Sequence, residues 1–258
     1  KSEGYRPLPK RAPEKRRLSY EDVYPLLYLK YSLNRCHVHS GIRHLVVDEM
    51  QDYSRVQYLL LKKMFPCRMT ILGDRAQTME DRQQDVLEFL PRIFGKDIRI
   101  IHMNKSYRNT VEIAEYANRI AGITDMELFQ RHGGPVQEEE FTSRSEAFAE
   151  VLRTWQEDSE RLETAAVIFY TEAEAREAAD WFDKNAGETD GEKRISYLDR
   201  NSSTFCKGLT ITTFYLAKGL EFDRVYGIFT SGDRNPLHRQ ARYIAATRAL
   251  HELKMYKV

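Results

Sequence analysis

The stretch His44–Ser54, HLVVDEMQDYS, runs a short apolar segment straight into two adjacent carboxylates, Asp48 and Glu49, with Asp52 close behind. His44–Val47 reads as a buried β-strand, too short for a helix and aliphatic in character. Burial of a strand does not require an acidic end, so the carboxylates need an explanation of their own. In open parallel sheets, ligands bind beyond the carboxyl ends of the strands, and Asp48 and Glu49 fall at such an end. Two carboxylates there suit a metal–phosphate site. One holds Mg²⁺, directly or through water, and the other accepts a proton from an attacking water. Alone, the pattern describes a strand end meeting solvent at least as well.

The next apolar run repeats the theme. MTILGDRAQT (69–78) ends on Gly73-Asp74 and then supplies Gln77, a side chain that there orients water or senses a terminal phosphate. Further strands are expected at Ile98–Met103, Ala165–Tyr170, Leu209–Phe214 and Arg224–Phe229, after Met69–Leu72 in the second run. Helical patterns lie between them. Ser54-Arg55-Val56-Gln57 is a capping-box start, and Asn109 with Glu112 opens a helix that stops near Gly122. Ser143 or Ser145 opens another, and Thr171 with Glu174 a fourth that Gly187 ends. Leu237–Leu250 reads as a last helix. Ser19–Leu33 has a helical pattern with Pro25 inside it. Residues 185–208 read as a loop or small excursion. Strands alternating with helices of this length imply βαβ units and a parallel sheet. A boundary is placed near Gly95–Asp97.

Bulk properties narrow the classes. The 258 residues make one large domain or two modest ones, and 41% hydrophobic against 31% charged residues permits a core. A net charge of +1 gives no argument from charge for a nucleic-acid partner. Cys36, Cys67 and Cys206 are far apart without CxxC spacing, which fits a reducing compartment and argues against a disulfide framework or a zinc site. No apolar run approaches the ~20 residues of a membrane span, and no signal-peptide pattern occurs. The chain starts at Lys1, and residues 1–18 hold seven Lys or Arg. This reads as a basic lead-in to a fragment or processed chain, or as a flexible tail that binds nothing.

With DExQD and LGDxxQ in hand, the chain resembles superfamily 1 helicases of the UvrD/Rep type at their motifs II and III. NKSYRN (104–109) resembles motif IV, ITTFYLAKGLEFDRVYG (211–227) motif V, and RYIAATRAL (242–250) motif VI. Five signals fall in family order across nearly the whole chain. YLAKGLEFD with AATRALHEL is most similar to the helicase IV and HelD branch, whose HelD-like members are ATPases acting on bacterial RNA polymerase.

The resemblance implies an α/β architecture of P-loop NTPase type with two RecA-like lobes. Residues 1–97 would be the remainder of the first lobe, carrying motifs II and III, and 98–258 the second. It implies ATP and Mg²⁺ as cofactors, single-stranded or duplex DNA as partner, and a bacterial cytoplasmic location. Asp48 would help hold Mg²⁺, and Glu49 would be the catalytic base. Gln51 would bridge toward the nucleotide, and Gln77 would couple the γ-phosphate to the inter-domain interface. Tyr107 would stack on adenine, while Arg108 and Arg248 would reach the γ-phosphate as arginine fingers. Gly219 and Glu221 would approach the nucleotide, Glu221 at the ribose. Thr213 and Tyr215 would face DNA. Each has a plainer alternative: Tyr107 as a core aromatic, Arg108 and Arg248 as ordinary ion-pair formers.

The chain departs from the family in four ways. No G-x-x-x-x-G-K-[ST] occurs, so no P-loop cradles the phosphates. The expectation is a C-terminal part whose upstream region carries that motif, and which alone hydrolyses ATP poorly or not at all. After Gln77 the family often has base-stacking aromatics, whereas this sequence reads Thr78-Met79-Glu80-Asp81-Arg82. Motif V carries Tyr215 where UvrD-type enzymes usually have His. Only about 100 residues separate motifs IV and V, too few for a sizeable inserted domain. These changes put unwinding in doubt more than hydrolysis, and they leave open a HelD-like ATPase that remodels RNA polymerase.

Overall fold

The computed structural model describes residues 18–33, 39–74, 77, 86–95, 98–103, 105–158, 160–187, 194–202, 207–230 and 235–258. The basic lead-in before Leu18, the Thr78–Arg82 run, Asn104, Cys36 and Cys206 lie outside them. The chain divides into two compact units. One takes in the described residues up to Asp74 and from Val86 to Arg99; the other takes in Gln77 and the residues from Ile100 to Val258.

In the first unit, α1 (Tyr20–Leu33) precedes β1 (His44–Val47), α2 (Arg55–Met64), β2 (Arg68–Ile71) and α3 (Val86–Phe94). The two strands pair in parallel, His44 opposite Arg68 and Val47 opposite Ile71. Helix α2 starts where its capping box predicts: Ser54 accepts the Gln57 N–H, and Gln57 returns the bond to the Ser54 amide. Val47, Met50, Tyr58, Val86, Phe89, Leu90 and Ile93 form the core beneath the strand tips.

The second unit runs β3 (Lys105–Ser106), α4 (Val111–Ala121), β4 (Glu127–Leu128), β5 (Gln137–Glu140), α5 (Arg144–Asp158), β6 (Thr164–Phe169), α6 (Glu172–Asn185), β7 (Ile195–Tyr197), β8 (Gly208–Thr213), β9 (Phe222–Phe229), α7 (Pro236–Thr247) and β10 (Ala249–Lys257). Six strands make one sheet in the order β5-β10-β9-β6-β8-β7, every pair parallel. The short β3 and β4 pair separately. Helices α4 and α7 cover one face of the sheet and α5 and α6 the other. This is the expected α/β architecture with a parallel sheet, and the structure adds that helices cover both of its faces. It explains why β6 is apolar without alternation: Ala165–Phe169 are buried on both faces. Each large side chain so buried contributes about 1.5–3 kcal/mol.

Three sequence expectations need correction, and one edge strand had no expectation at all. Ile98–Met103 forms no strand; none of the described strands pairs with it, and Ile101 and Met103 are exposed. The last helix ends at Thr247, and the chain continues from Ala249 as β10, whose Glu252–Met255 alternation is the signal for a strand. Residues 185–208 include the edge strand β7, pairing with β8. The edge strand β5 is wholly exposed Gln-Glu-Glu-Glu, held by its backbone alongside β10, and has no apolar pattern to read. Among the described residues no helix is long and apolar enough to cross a membrane.

Candidate nucleotide site

The end of β1 is built around one unusual residue. Glu49 has φ 51° and ψ 51°, and no other non-glycine described residue has a positive φ. A left-handed backbone costs a side-chain-bearing residue roughly 1–2 kcal/mol. It persists here because neighbouring bonds fix it. Met50 N–H donates to the Leu72 carbonyl (2.8 Å), joining the tips of β1 and β2, and the buried Tyr58 hydroxyl donates to the Met50 carbonyl (2.9 Å). Burial pushes the Tyr58 phenol well above its ordinary pKa, so it remains a donor.

The turn directs three acidic or amide groups. Asp48 Oδ1 accepts the Glu49 N–H (2.8 Å), and the rest of this exposed side chain faces outward. Gln51 Nε2 donates to Glu49 Oε2 (2.5 Å), while Gln51 Oε1 accepts the Asp74 N–H (3.0 Å). Gln51, expected to bridge toward a nucleotide, thus ties the tip of β1 to the residue after β2 and steers the Glu49 carboxylate.

The close approach requires Gly73. A Cβ there would lie 2.4 Å from Met50 Cγ, 2.5 Å from Gln51 Oε1 and 2.7 Å from the Met50 nitrogen. Gly73→Ala is therefore expected to cost about 1–3 kcal/mol, the usual range for overpacking, in a denaturation titration. A change below about 0.5 kcal/mol would show that the tip relaxes freely.

The second unit gathers its expected residues at the starts of β9 and β10. Arg108 Nε meets Glu221 Oε1 at 2.7 Å, both side chains being nearly half exposed. The proposed finger and the proposed ribose ligand are here each other's partners. An exposed pair of this kind contributes only about 0–1 kcal/mol, so exchange of either partner for a ligand costs little. Tyr107 is 60% exposed, its ring 5.6 Å from Phe129 and beneath Lys105 Nζ at 5.8 Å. It is not a core aromatic.

Arg248 is 2% exposed. Its Nη2 faces Gln77 Oε1 at 3.4 Å and Thr247 Oγ1 at 3.3 Å, and its Nη1 faces the Leu220 carbonyl at 3.5 Å. Gly219 has φ +77°, the left-handed turn that leads into Leu220 and Glu221. Thr213 is buried at the end of β8, whereas Tyr215 is half-buried with the Arg200 guanidinium 5.6 Å from its ring.

Sequence reasoning missed the part played by Asn109, expected to open α4. Thr110 holds the N-cap position instead. The buried Asn109 amide donates to the Ala249 carbonyl (2.6 Å) and the Thr247 carbonyl (3.3 Å), on either side of Arg248. The motif IV-like stretch is thereby fastened to the motif VI-like one across 140 residues. An asparagine next to a helix start signals a cap, so no local pattern could have shown this.

Among the described residues no three His, Cys, Asp or Glu side chains converge as a metal cage. A hard cation beside Asp48 would complete its shell from phosphate oxygens and water, as Mg²⁺ does.

No family model matches the chain, and no curated protein matches it. Solved structures show distant likeness. The C-terminal domain of a possible DNA helicase from Lactobacillus plantarum WCFS1 is 24% identical, with 59% of this chain and 88% of that one covered and a TM-score of 0.45. The helicase of PRRSV is 14% identical over 82% of this chain and 34% of its own, TM-score 0.43. An arterivirus nonstructural protein 10 (helicase), solved with DNA, is 14% identical over 85% of this chain and 40% of its own, TM-score 0.46. The chain thus spans well under half the length of the two viral proteins. At these scores none of the likenesses bears on function.

Proposed function

We propose that the chain supplies the hydrolysis and coupling residues of an ATP-dependent DNA helicase or translocase of the UvrD-like superfamily 1. Residues 1–97 belong to its first motor lobe and 98–258 to its second, RecA-like lobe. The chain carries no G-x-x-x-x-G-K-[ST], so the P-loop is not among the parts it supplies. The observation that carries this reading is Glu49. A strained backbone at a strand tip, fixed from both sides and aiming a carboxylate held by Gln51, is what a base poised beside a phosphate requires. Five motif-like stretches in family order support it.

Bound with ATP at Asp48, Mg²⁺ supplies charge neutralisation on the phosphate oxygens. Glu49 takes the proton of the attacking water. Gln51 keeps the carboxylate oriented, and its bond to the Asp74 amide ties that orientation to β2. Arg108 and Arg248 place positive charge where negative charge develops, which for phosphoryl transfer is most of catalysis. Tyr107 offers an exposed ring to the base, and Tyr215 faces DNA.

A second reading, remodelling of RNA polymerase with little unwinding, is favoured by Glu80 and Asp81 where base-stacking aromatics would run. The test is Mg-ATP turnover by the full protein, with and without single-stranded DNA at low salt. We expect stimulation by DNA, and a loss of about 10²–10⁴ in Glu49→Gln, the usual contribution of a general base, with ATP binding retained. Turnover indifferent to DNA would favour the second reading. Absence of turnover in the wild type would sink both.

A further inference from the structure

We propose that Arg131, outside every motif-like stretch, is a positioning residue that holds Arg108 and Arg248 in one fixed arrangement. The inference rests on the ATPase reading. It begins with the register of β10 against β9. Ala249 lies opposite Phe222, yet Glu252 lies opposite Arg224. One extra residue on β10 makes a bulge immediately after Arg248, and a bulge takes backbone groups out of the ladder. The carbonyls at this bulge are satisfied by side chains. Asn109 takes that of Ala249, and Arg131 Nη2 takes that of Leu250 at 2.7 Å.

The same Arg131 Nη2 also donates to the carbonyl of Arg108. A single nitrogen thus joins the backbone of one proposed finger to the bulge just beyond the other. Arg131 is itself anchored. Its carbonyl accepts the N–H of Val111, the first residue of α4, and its own N–H donates to the Phe129 carbonyl. Two residues on, Glu112 of α4 accepts the Gly133 N–H and the His132 ring nitrogen, each at 2.9 Å. The His132 bond, with the Gly133 amide, holds that carboxyl down to about 2. The clamp is therefore a braced corner: the Arg131 guanidinium ties the Arg108 carbonyl to the bulge, while the Arg131 main chain ties the segment after β4 to the first residue of α4. Arg108 is otherwise held through an exposed ion pair to Glu221, so the clamp fixes its main chain while its side chain remains exchangeable.

The experiment compares Arg131→Ala, Arg131→Lys, Arg108→Ala, Arg248→Ala and the Arg131→Ala/Arg108→Ala double variant in the full protein, measuring kcat, KM for ATP and Tm. Misplacement by about an ångström costs on the order of 10²-fold. We expect Arg131→Ala to lower kcat roughly 10–100-fold, with KM little changed. Arg131→Lys, which keeps a single donor nitrogen, should recover part of the loss. The double variant should lose less than the product of the two single losses, because neighbours acting as one unit are not additive; what it loses beyond Arg108→Ala is the share that passes through Arg248. A kcat for Arg131→Ala within about twofold of wild type, or losses that simply multiply, would overturn the proposal. Should Arg131→Ala not fold, Arg131→Lys decides: full activity in it overturns the proposal, and a partial kcat loss at unchanged Tm supports it. If Arg108→Ala and Arg248→Ala are themselves inert, the ATPase reading has failed and the clamp has nothing to position. If only Arg131 is inert, the clamp alone is wrong.

Discussion

Arg248→Ala in the full protein is expected to lower the rate of ATP hydrolysis by about 10³–10⁵ while leaving ATP affinity nearly intact, the signature of an arginine finger. That loss corresponds to roughly 4–7 kcal/mol of transition-state stabilisation. Burial supports the expectation as much as the motif does. Arg248 is 2% exposed, and a guanidinium removed from water acts on a developing charge through a low effective dielectric. Three of its bonds, to Gln77, Thr247 and the Leu220 carbonyl, run 3.3–3.5 Å, long for charge-assisted contacts. The position is also well defined, because Arg248 N–H donates to the Ala245 carbonyl and its own carbonyl accepts the Phe222 amide. Removing a buried arginine also perturbs folding, so Tm and nucleotide affinity must be measured alongside. A kcat loss under about tenfold in a folded variant would reduce Arg248 to an element of local structure, and the finger role would fall to Arg108 alone.

The parts of the fold legible in the sequence are those where burial or capping dictates residue type. β1 matches its expected bounds, and β2, β6, β8 and β9 lie within a residue or two of theirs. For β6, β8 and β9 the reason is a buried run, whereas the expected burial of β1 is met only at Val47 and β2 is exposed or half-buried throughout. The capping boxes at Ser54 and Thr171 stand in the structure as bonds. Illegible elements are those whose stability comes from elsewhere. β5 carries three exposed glutamates and exists because β10 offers it a ladder. β10 is hidden behind the helical signal of α7, since Ala245–Leu250 is as apolar as the helix before it. Conversely, Ile98–Met103 has strand composition with no described strand beside it.

The candidate site shows the same division. Identities at the strand tip are readable: two carboxylates, a glutamine and a glycine. Their geometry is not, because the left-handed turn at Glu49 is written in no residue type that favours it. Glycine would suit the backbone, and glutamate stands there instead. Nor could spacing show that Gln51 spends both ends of its amide on Glu49 and Asp74, or that Asn109 reaches Ala249. Such contacts join positions far apart in sequence through single side chains and leave no periodic trace.

The largest stability effect is expected away from the proposed chemistry, at Arg224, a 2% exposed cation in β9 directly opposite Glu252 just beyond the bulge. All five of its donors have acceptors. Nε reaches Glu252 Oε2 (2.7 Å), Nη1 the Thr154 carbonyl and the Tyr226 hydroxyl (both 3.0 Å), and Nη2 reaches Asp158 (2.5 Å) and Glu252. Arg224→Met would strand these groups, and breaking a buried pair costs about 3–5 kcal/mol. Arg161, 2.5 Å from Glu252 and 3.4 Å from Asp158, remains to neutralise part of the acidic charge. The loss should therefore sit near the lower end, about 3 kcal/mol. The Arg224 bond holds the Asp158 carboxyl below its ordinary value. A depressed carboxylate stabilises the fold above its unfolded pKa of about 4, and the contribution is lost as pH falls through the lower folded value. Denaturation titrations between pH 7 and pH 3 should accordingly show a steeper acid loss in wild type than in Arg224→Met. Replacing Arg224, Asp158 and Glu252 together by apolar residues of similar volume should restore most of the stability, because the desolvation cost leaves with the charges. If the single variant loses under about 1 kcal/mol, far below the range for a broken buried pair, water already shares this cluster and the strand start is held by its backbone ladder alone.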